Sequence, residues 1–250
     1  MELLITLFCV GVAAQFIGTL VGSGGLITFP AMLIFGVPVH STISATKLSN
    51  SIASATSLLT LIKQRKLTLT DVLKGGPVGL IAGIVGGLIT TSIPEDWMKT
   101  IALILLIFIF LLTFIKPKQR TETSASAQTK GLIPLFFGVG IYNGAFGPGQ
   151  ATILMHFLTR KGIDYLKVIG LTRANTVASG LGAVITYILS GDMIWSIGIA
   201  ITLGGIIGGQ LAIFIAPKMS KKFVHGLMRG VVILLILQLI GENLIRGVLS

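Results

Sequence analysis

Two glycine-rich breaks interrupt apolar segments that would otherwise each form one continuous membrane helix. The first is Gly22-Ser23-Gly24-Gly25, and the second, 125 residues later, is Gly147-Pro148-Gly149-Gln150. Glycine and proline bend the backbone and leave N–H groups unpaired, which a membrane tolerates only where the irregular chain lines a cavity or is buried in protein. Two breaks at matching places in two halves of a chain therefore predict a binding site.

The composition is that of a multi-span membrane protein. Of the 250 residues, 53% are hydrophobic and 11% are charged, which is too few charges for a soluble domain of this size. The single cysteine, Cys9, excludes an intramolecular disulfide and a cysteine-based metal cluster. The net charge of +11 comes mostly from Lys and Arg between apolar segments. We therefore assign this charge to cytoplasmic loops that face anionic lipid, and we expect no nucleic-acid partner.

Apolar runs and one polar linker divide the chain into two halves. Five runs precede the linker at 116–130 and five follow it, which predicts an internal duplication with membrane repeats at 1–115 and 131–250. Most runs are long enough to cross the bilayer as helices, whereas 25–37 and 150–159 are too short to cross upright. The runs lie at about 3–21, 25–37, 41–62, 72–93, 98–115, 131–146, 150–159, 165–189, 192–215 and 223–245.

An alignment of the chain with itself at an offset of 125 residues supports the duplication. The matched pairs are Gly22 and Gly147, Gly24 and Gly149, Asn50 and Asn175, Ala53 and Ala178, Ser54 and Ser179, Gly79 and Gly204, and Gly83 and Gly208. Small residues match by chance in a glycine-rich chain, so the paired asparagines and the paired breaks carry most of the weight.

Basic residues between the runs predict the orientation in the membrane. They cluster after the third run, in the linker, before the 165–189 run and before the last run, which places those segments in the cytoplasm. The acidic turns at Glu95-Asp96 and Asp192 then fall outside, as does the loop at Val39-His40. The counterpart of that loop, near Asp164-Tyr165, falls inside. The repeats are therefore inverted, and both termini lie outside.

The predicted fold is an all-α integral membrane protein of two inverted repeats. Each repeat has a broken or re-entrant helical hairpin followed by three transmembrane helices. Residues 3–38 and 131–163 must each start and finish on one face of the membrane. Each segment is therefore a helical hairpin with its glycine tip inside the membrane, or a pair of short tilted helices joined there. Inverted repeats with broken helices near the midplane are typical of secondary transporters.

Two cations inside apolar runs indicate an anionic ligand. Lys47 and Arg173 are 126 residues apart, one more than the repeat offset, and an intramembrane charge is costly enough to indicate function. No Asp or Glu lies deep in any run to neutralise them. The alternative is that each side chain snorkels to the interface from about two turns inside its helix.

Polar groups near the breaks and the cations complete the candidate site. Both breaks lead into helix N-termini, which attract anions. Asn50 and Asn175 lie about one turn beyond the cations, where they bond either substrate oxygens or the unpaired backbone of the hairpin tips. His156 is a candidate proton carrier, with a packed, hydrogen-bonded histidine as the alternative. The candidate substrate-binding residues are Gly22, Ser23, Gly24, Gly25, Lys47, Asn50, Gly147, Gly149, Gln150, Arg173 and Asn175.

Two motifs, one in each repeat, are similar to those of a known family. The first is Gly22-Ser-Gly-Gly-Leu-Ile-Thr-Phe-Pro30, followed by Ala45-Thr-Lys-Leu-Ser-Asn50. The second is Tyr142-Asn-Gly-Ala-Phe-Gly147-Pro-Gly149-Gln, followed by Leu171-Thr-Arg-Ala-Asn175. They resemble the TauE/SafE sulfite exporter family of bacterial and archaeal carriers over nearly the whole chain. The family often has three consecutive glycines where this chain has Gly-Gly-Leu, which leaves the geometry of the first tip open.

The resemblance implies a plasma-membrane carrier that exports, or in some members takes up, sulfite or small organosulfur anions such as sulfonates. We therefore predict a secondary transporter that exports such an anion by alternating access. Its expected partners are the anion and the lipid bilayer, and a homo-oligomer stays open. No metal-ligand cluster or nucleophile with an acid/base partner stands out, so we expect no cofactor and no enzymatic activity. A passive anion channel and a membrane-embedded enzyme are the alternatives.

Overall fold

Every regular element in the described part of the chain is helical, which confirms the predicted all-α class. The computed structural model describes residues 1–21, 24–63, 69–112, 132–163 and 165–215, with isolated positions at 226, 230, 233 and 237. The helices in these ranges are α1 Glu2–Val21, α2 Gly25–Ile34, α3 Val39–Lys63, α4 Leu69–Thr91, α5 Glu95–Leu112, α6 Leu132–Ala145, α7 Gln150–Arg160, α8 Tyr165–Leu189 and α9 Trp195–Ile215. The linker 116–130, most of the tenth run, and Gly22 and Ser23 lie outside the described residues.

The helices coincide with the first nine apolar runs, and the differences lie at the ends. α5 shows the reason most clearly, because it begins at Glu95 whereas the apolar run begins near residue 98. Acidic side chains in a first turn favour the helix N-terminus through the macrodipole, and α5 has two of them, Glu95 and Asp96. The polar first turn is helical but invisible to a search for apolar residues.

Among the described helices, three are long and apolar enough to cross a membrane by length and composition, namely α1, α8 and α9. α3 has the same length as α8, 25 residues, but it is rich in Ser and Thr and contains Lys47. Several of its polar side chains are buried against neighbouring helices, including Ser41, Thr42, Ser44 and Thr46. A helix that faces protein does not need the uniform apolar surface that a lipid-facing helix needs.

Corresponding pairs of helices pack together in the two halves of the chain. α1 packs on α9 as α4 packs on α6, and α3 packs on α9 as α8 packs on α4. Within each half, α1 contacts α2 and α6 contacts α7; we call these pairs the first hairpin and the second hairpin. α3 and α8 contact each other and several of the remaining helices, so they form the middle of the described bundle.

Glycine allows the closest of these helix contacts. A Cβ atom added to Gly83 of α4 would collide with the carbonyl oxygen of Ser179 on α8, and one added to Gly208 of α9 would collide with that of Val12 on α1. Contacts of backbone on backbone through small residues are typical of membrane helices, where lipid tails supply no hydrophobic drive for association.

An apolar cluster joins the two hairpins. Phe29 of α2 and Phe146, at the turn before α7, are buried and meet edge to face, with ring centroids 4.9 Å apart and an interplanar angle of 74°. Ile43 of α3, Ile109 of α5 and Tyr187 of α8 belong to the same buried cluster. The starts of α2 and α7 are thereby held close to each other.

Three turns that the sequence predicts to lie outside come together at one end of the bundle. The carboxylate of Glu95 accepts hydrogen bonds from the backbone N–H groups of Val39 and His40, at the start of α3. The Ser44 hydroxyl donates to the carbonyl oxygen of Asp192, 3.4 Å away. These segments therefore share one face of the molecule.

Candidate functional site

A small polar cavity lies where the two hairpins meet the middles of α3 and α8. Its volume is about 40 Å³, which is room for a small anion, since one water needs roughly 10–15 Å³. Among the described residues that line it, Ala151 has the one apolar side chain. The lining residues are Gln15, Gly18, Gly24, Gly25, Asn50, Ser54, Asn143, Gly147, Gly149, Gln150, Ala151, Arg173 and Thr176.

The structure brings most of the predicted site residues to this cavity. Those that line it are Gly24, Gly25, Asn50, Gly147, Gly149, Gln150 and Arg173. Lys47, Asn175 and His156 are not among the lining residues. Gly22 and Ser23 lie outside the described residues, so the predictions for them stay predictions.

The turn of the second hairpin is built from two glycines in the left-handed region. Gly147 has φ 95° and Gly149 has φ 78°, a conformation that costs a residue with a Cβ atom about 1–2 kcal/mol. The backbone N–H groups of Phe146 and Gly147 both donate to the carbonyl oxygen of Tyr142, 2.9 and 3.1 Å away. The Tyr142 hydroxyl donates to the Pro148 carbonyl at 2.6 Å. The chain is thereby turned so that α7 starts at the cavity.

Lys47 anchors this turn from α3. Its side chain is buried, with 1% exposed, which rules out the alternative that it snorkels to the interface. The ammonium group donates to the Phe146 carbonyl at 2.9 Å and to Asn143 Oδ1 at 3.3 Å. Asn143 in turn donates to Ser179 Oγ at 2.7 Å. Lys47 therefore acts on the cavity through Asn143, which lines it.

Asn175 and Gln150 bind each other and hold α7 against α8. Gln150 Nε2 donates to Asn175 Oδ1 at 3.1 Å, and the Thr176 hydroxyl donates to Gln150 Oε1 at 2.8 Å. Asn175 Nδ2 donates to the Phe136 carbonyl at 3.1 Å. Neither of the two roles that the sequence leaves open for this asparagine is seen, because Phe136 lies within α6 and not at the hairpin tip, so its role in binding substrate stays a prediction.

Arg173 is the charged residue among those that line the cavity. It is half-buried, and its Nη1 donates to Ser54 Oγ of α3 at 3.3 Å. No carboxylate belongs to the described lining. Because α2 and α7 both begin at the cavity, with Gly25 and Gln150 in its wall, the positive ends of two helix dipoles add to the guanidinium charge. The described wall of the cavity therefore has a positive electrostatic potential.

Comparison with known proteins agrees with the residue motifs. Residues 7–239 match the family described as Sulfite exporter TauE/SafE. The chain belongs to this family. It is 31% identical to a probable membrane transporter protein, ORF9, from Sinorhizobium sp, with 96% of this chain and 94% of that protein covered. A probable membrane transporter protein of Haemophilus influenzae is 28% identical, covering 90% of this chain and 89% of its own length. No solved structure gives a significant match.

These findings make the chain a membrane transporter of the TauE/SafE family. The family and the printed names of its relatives indicate transport of a small molecule across a lipid membrane rather than an enzymatic reaction. The relative YunE of Bacillus subtilis, also a probable membrane transporter protein, is 25% identical and covers 96% of this chain and 98% of its own length. The similarity thus extends over whole chains in distant bacteria.

His156 stands apart from the cavity of this TauE/SafE transporter. His156 is half-buried in α7, with its ring 6.0 Å from that of Phe157, so its proposed role as a proton carrier stays a prediction. In the described part of the chain, no group of three His, Cys, Asp or Glu side chains is arranged to hold a metal ion.

Sequence reasoning did not name several residues of the cavity wall as site residues. Asn143 belongs to the second glycine-rich motif, and Ser54 matches Ser179 at the repeat offset, so the sequence carries a signal for both. Thr176 lies beside Asn175 and is one of the buried hydroxyls of α8. Gln15 was visible as a lone carboxamide inside the apolar run 3–21.

Proposed function

We propose that this TauE/SafE transporter exports a small anion, sulfite or an organosulfur anion such as a sulfonate, by alternating access. The observation that carries the proposal is the position of Arg173 in the wall of a small cavity without carboxylates, between the starts of α2 and α7. In the described part of the chain, the guanidinium makes one hydrogen bond, to Ser54, and its other N–H donors fit the oxygens of such an anion.

The architecture that we propose is a pair of inverted repeats, with the cavity at their interface. The matching packing of α1 on α9 and of α6 on α4 supports the pairing of the halves. Its two hairpins supply the broken helices that surround the site in transporters of this kind. Alternating access then moves one repeat relative to the other around a fixed anion.

The proposed setting is the plasma membrane of a bacterium or archaeon, with the linker 116–130 inside and both termini outside. The convergence of the Val39, Glu95 and Asp192 segments at one end supports this arrangement, because none of the three contains a cluster of Lys or Arg and the basic loops assign all three to the outer face.

Flux from proteoliposomes tests the proposed function. Purified protein is reconstituted into vesicles loaded with sulfite, and efflux is followed as a function of internal sulfite, with methanesulfonate and acetate as competitors. We expect efflux that saturates and that methanesulfonate inhibits more than acetate does. Unitary currents in planar bilayers would identify a channel, and an absence of flux for sulfite and for sulfonates alike would contradict anion transport.

A further inference from the structure

Gln15 is a buried carboxamide in an apolar helix. It lies inside α1, and 6% of its surface is exposed. Its side chain lines the cavity. Removing an amide from water without a compensating hydrogen bond costs free energy, so a residue in this position requires a partner or a ligand.

The surroundings of Gln15 supply contacts to its stem but no hydrogen bond. A Cβ atom added to Gly205 or Gly209 of α9 would lie 3.8 or 3.7 Å from its Cγ, and one added to Gly24 would lie 3.1 Å from its Oε1. The stem therefore rests on α9 and the amide lies near the start of α2. Within the described part of the chain, the amide has no hydrogen-bond partner.

Asn50 shows that the difference between the two halves is systematic. It lines the cavity and, like Gln15, it makes no side-chain hydrogen bond to a described residue. Its offset partner Asn175 is bound to Gln150 and to the Phe136 carbonyl. The position that matches Gln150 in the first hairpin is Gly25, which has no side chain to occupy Asn50. The second half of the site is thus closed by internal hydrogen bonds, whereas the carboxamides of the first half make none to the residues that the structure describes.

We propose that Gln15 is a substrate contact, and that together with Asn50 it binds the anion's oxygens while Arg173 supplies the charge. This inference rests on the proposed function. In the same account, Gln150 and Asn175 position the second hairpin and do not contact the anion. Because Gln15 belongs to the first hairpin and Arg173 to α8, a bound anion links the first hairpin to the second half of the molecule.

A pair of near-isosteric substitutions separates a ligand contact from a structural residue. Thermal unfolding of the purified protein is measured with increasing sulfite for the wild type, for Gln15→Met and for Gln150→Met. A ligand that binds the folded state raises the unfolding temperature, and the increase at a given ligand concentration grows with the logarithm of its affinity. Methionine keeps the length of glutamine and its helix propensity, so the amide is the main change.

We expect Gln15→Met to leave the unfolding temperature without sulfite equal to that of the wild type or higher, because the amide that it removes makes no hydrogen bond to a described residue. The same variant should raise the apparent Kd for sulfite by about tenfold or more, as expected for a lost hydrogen bond to a charged ligand. Gln150→Met should instead lower the unfolding temperature in the absence of sulfite, because Asn175 and Thr176 lose their hydrogen-bond partner. Its effect on the apparent Kd should be smaller than that of Gln15→Met.

The apparent Kd decides the outcome. If sulfite stabilises the wild type and Gln15→Met has the same apparent Kd, the role of Gln15 is overturned and the proposed function stays intact. A wild type that sulfite, thiosulfate and methanesulfonate all fail to stabilise would overturn the proposed function and this inference with it. Gln15→Ala provides the same comparison of Kd values if the methionine variant is not obtained in folded form.

Discussion

Lys47 and Arg173 have the same charge and nearly equivalent places in the two repeats, yet they contact different parts of the molecule. Their separation exceeds the repeat offset by one residue, and one residue turns a side chain by about 100° around a helix of 3.6 residues per turn. Lys47 therefore reaches the turn of the second hairpin, whereas Arg173 lines the cavity. Sequence reasoning found both cations, but the rotation between them appears only when the helices are packed.

Gly147 is the residue at which this arrangement is most sensitive to a single methyl group. Its φ of 95° disfavours any side chain, and an added Cβ atom would collide with Lys47 Nζ. We expect Gly147→Ala to lower the free energy of unfolding by more than about 1 kcal/mol and to reduce sulfite efflux from proteoliposomes.

Gly138→Ala is the matched control for that substitution. Gly138 lies in α6 of the same hairpin, and an added Cβ atom would meet no atom within 4 Å. Alanine is favoured over glycine inside a helix by roughly 0.5–1 kcal/mol, so this variant should be as stable as the wild type or more stable. Equal losses of stability in the two variants would contradict the role assigned to the turn.

At the scale of the elements, the apolar runs predicted the existence and order of the helices well. The starts of α2 and α7 at Gly25 and Gln150 also followed from the sequence, because glycine and proline mark where a helix cannot continue. Contacts between elements did not follow. Nothing in the spacing of Glu95 and Val39, 56 residues apart, predicts that the first turn of α5 caps the start of α3.

The contacts of Glu95 should stabilise the start of α3. Glu95→Ala removes a carboxylate that accepts hydrogen bonds from backbone N–H groups at the α3 N-terminus. We therefore expect the free energy of unfolding to fall by about 1 kcal/mol. The neighbouring Asp96→Ala removes an exposed carboxylate whose ion pair with Lys99 spans 3.7 Å, and such surface pairs contribute little. Thermal unfolding of both variants measures the difference. A similar effect at the two positions would show that the Glu95 contacts do not stabilise α3.

For the molecule as a whole, the sequence predicts inverted repeats, and the contacts between helices test only how the two halves pack. The offset of 125 residues, the paired breaks and the loop charges together predict inverted repeats. The matching packing of α1 on α9 and of α6 on α4 supports that proposal. The asymmetry of the site was not predictable, because it depends on which side chains find partners. Glycine at position 25 and glutamine at position 150 give the two halves different hydrogen bonds.

The proposed orientation is testable with single cysteines. In a Cys9→Ala background, Ser190→Cys lies in the exposed turn after α8, and Ser124→Cys lies in the linker. We expect a membrane-impermeant maleimide added to spheroplasts to label position 190, and to label position 124 only after the membrane is permeabilised. The opposite pattern would reverse the orientation inferred from the basic loops.

The central claim is that Arg173 supplies the charge that binds the transported anion, and sulfite efflux from proteoliposomes tests it most directly. Four proteins are compared at equal reconstituted amounts: the wild type, Arg173→Gln, Arg173→Lys and Arg160→Gln, the last being an exposed arginine at the end of α7. We predict that Arg173→Gln abolishes efflux although the protein inserts and folds, that Arg173→Lys retains part of it, and that Arg160→Gln matches the wild type. Efflux at the wild-type rate from Arg173→Gln would contradict the claim.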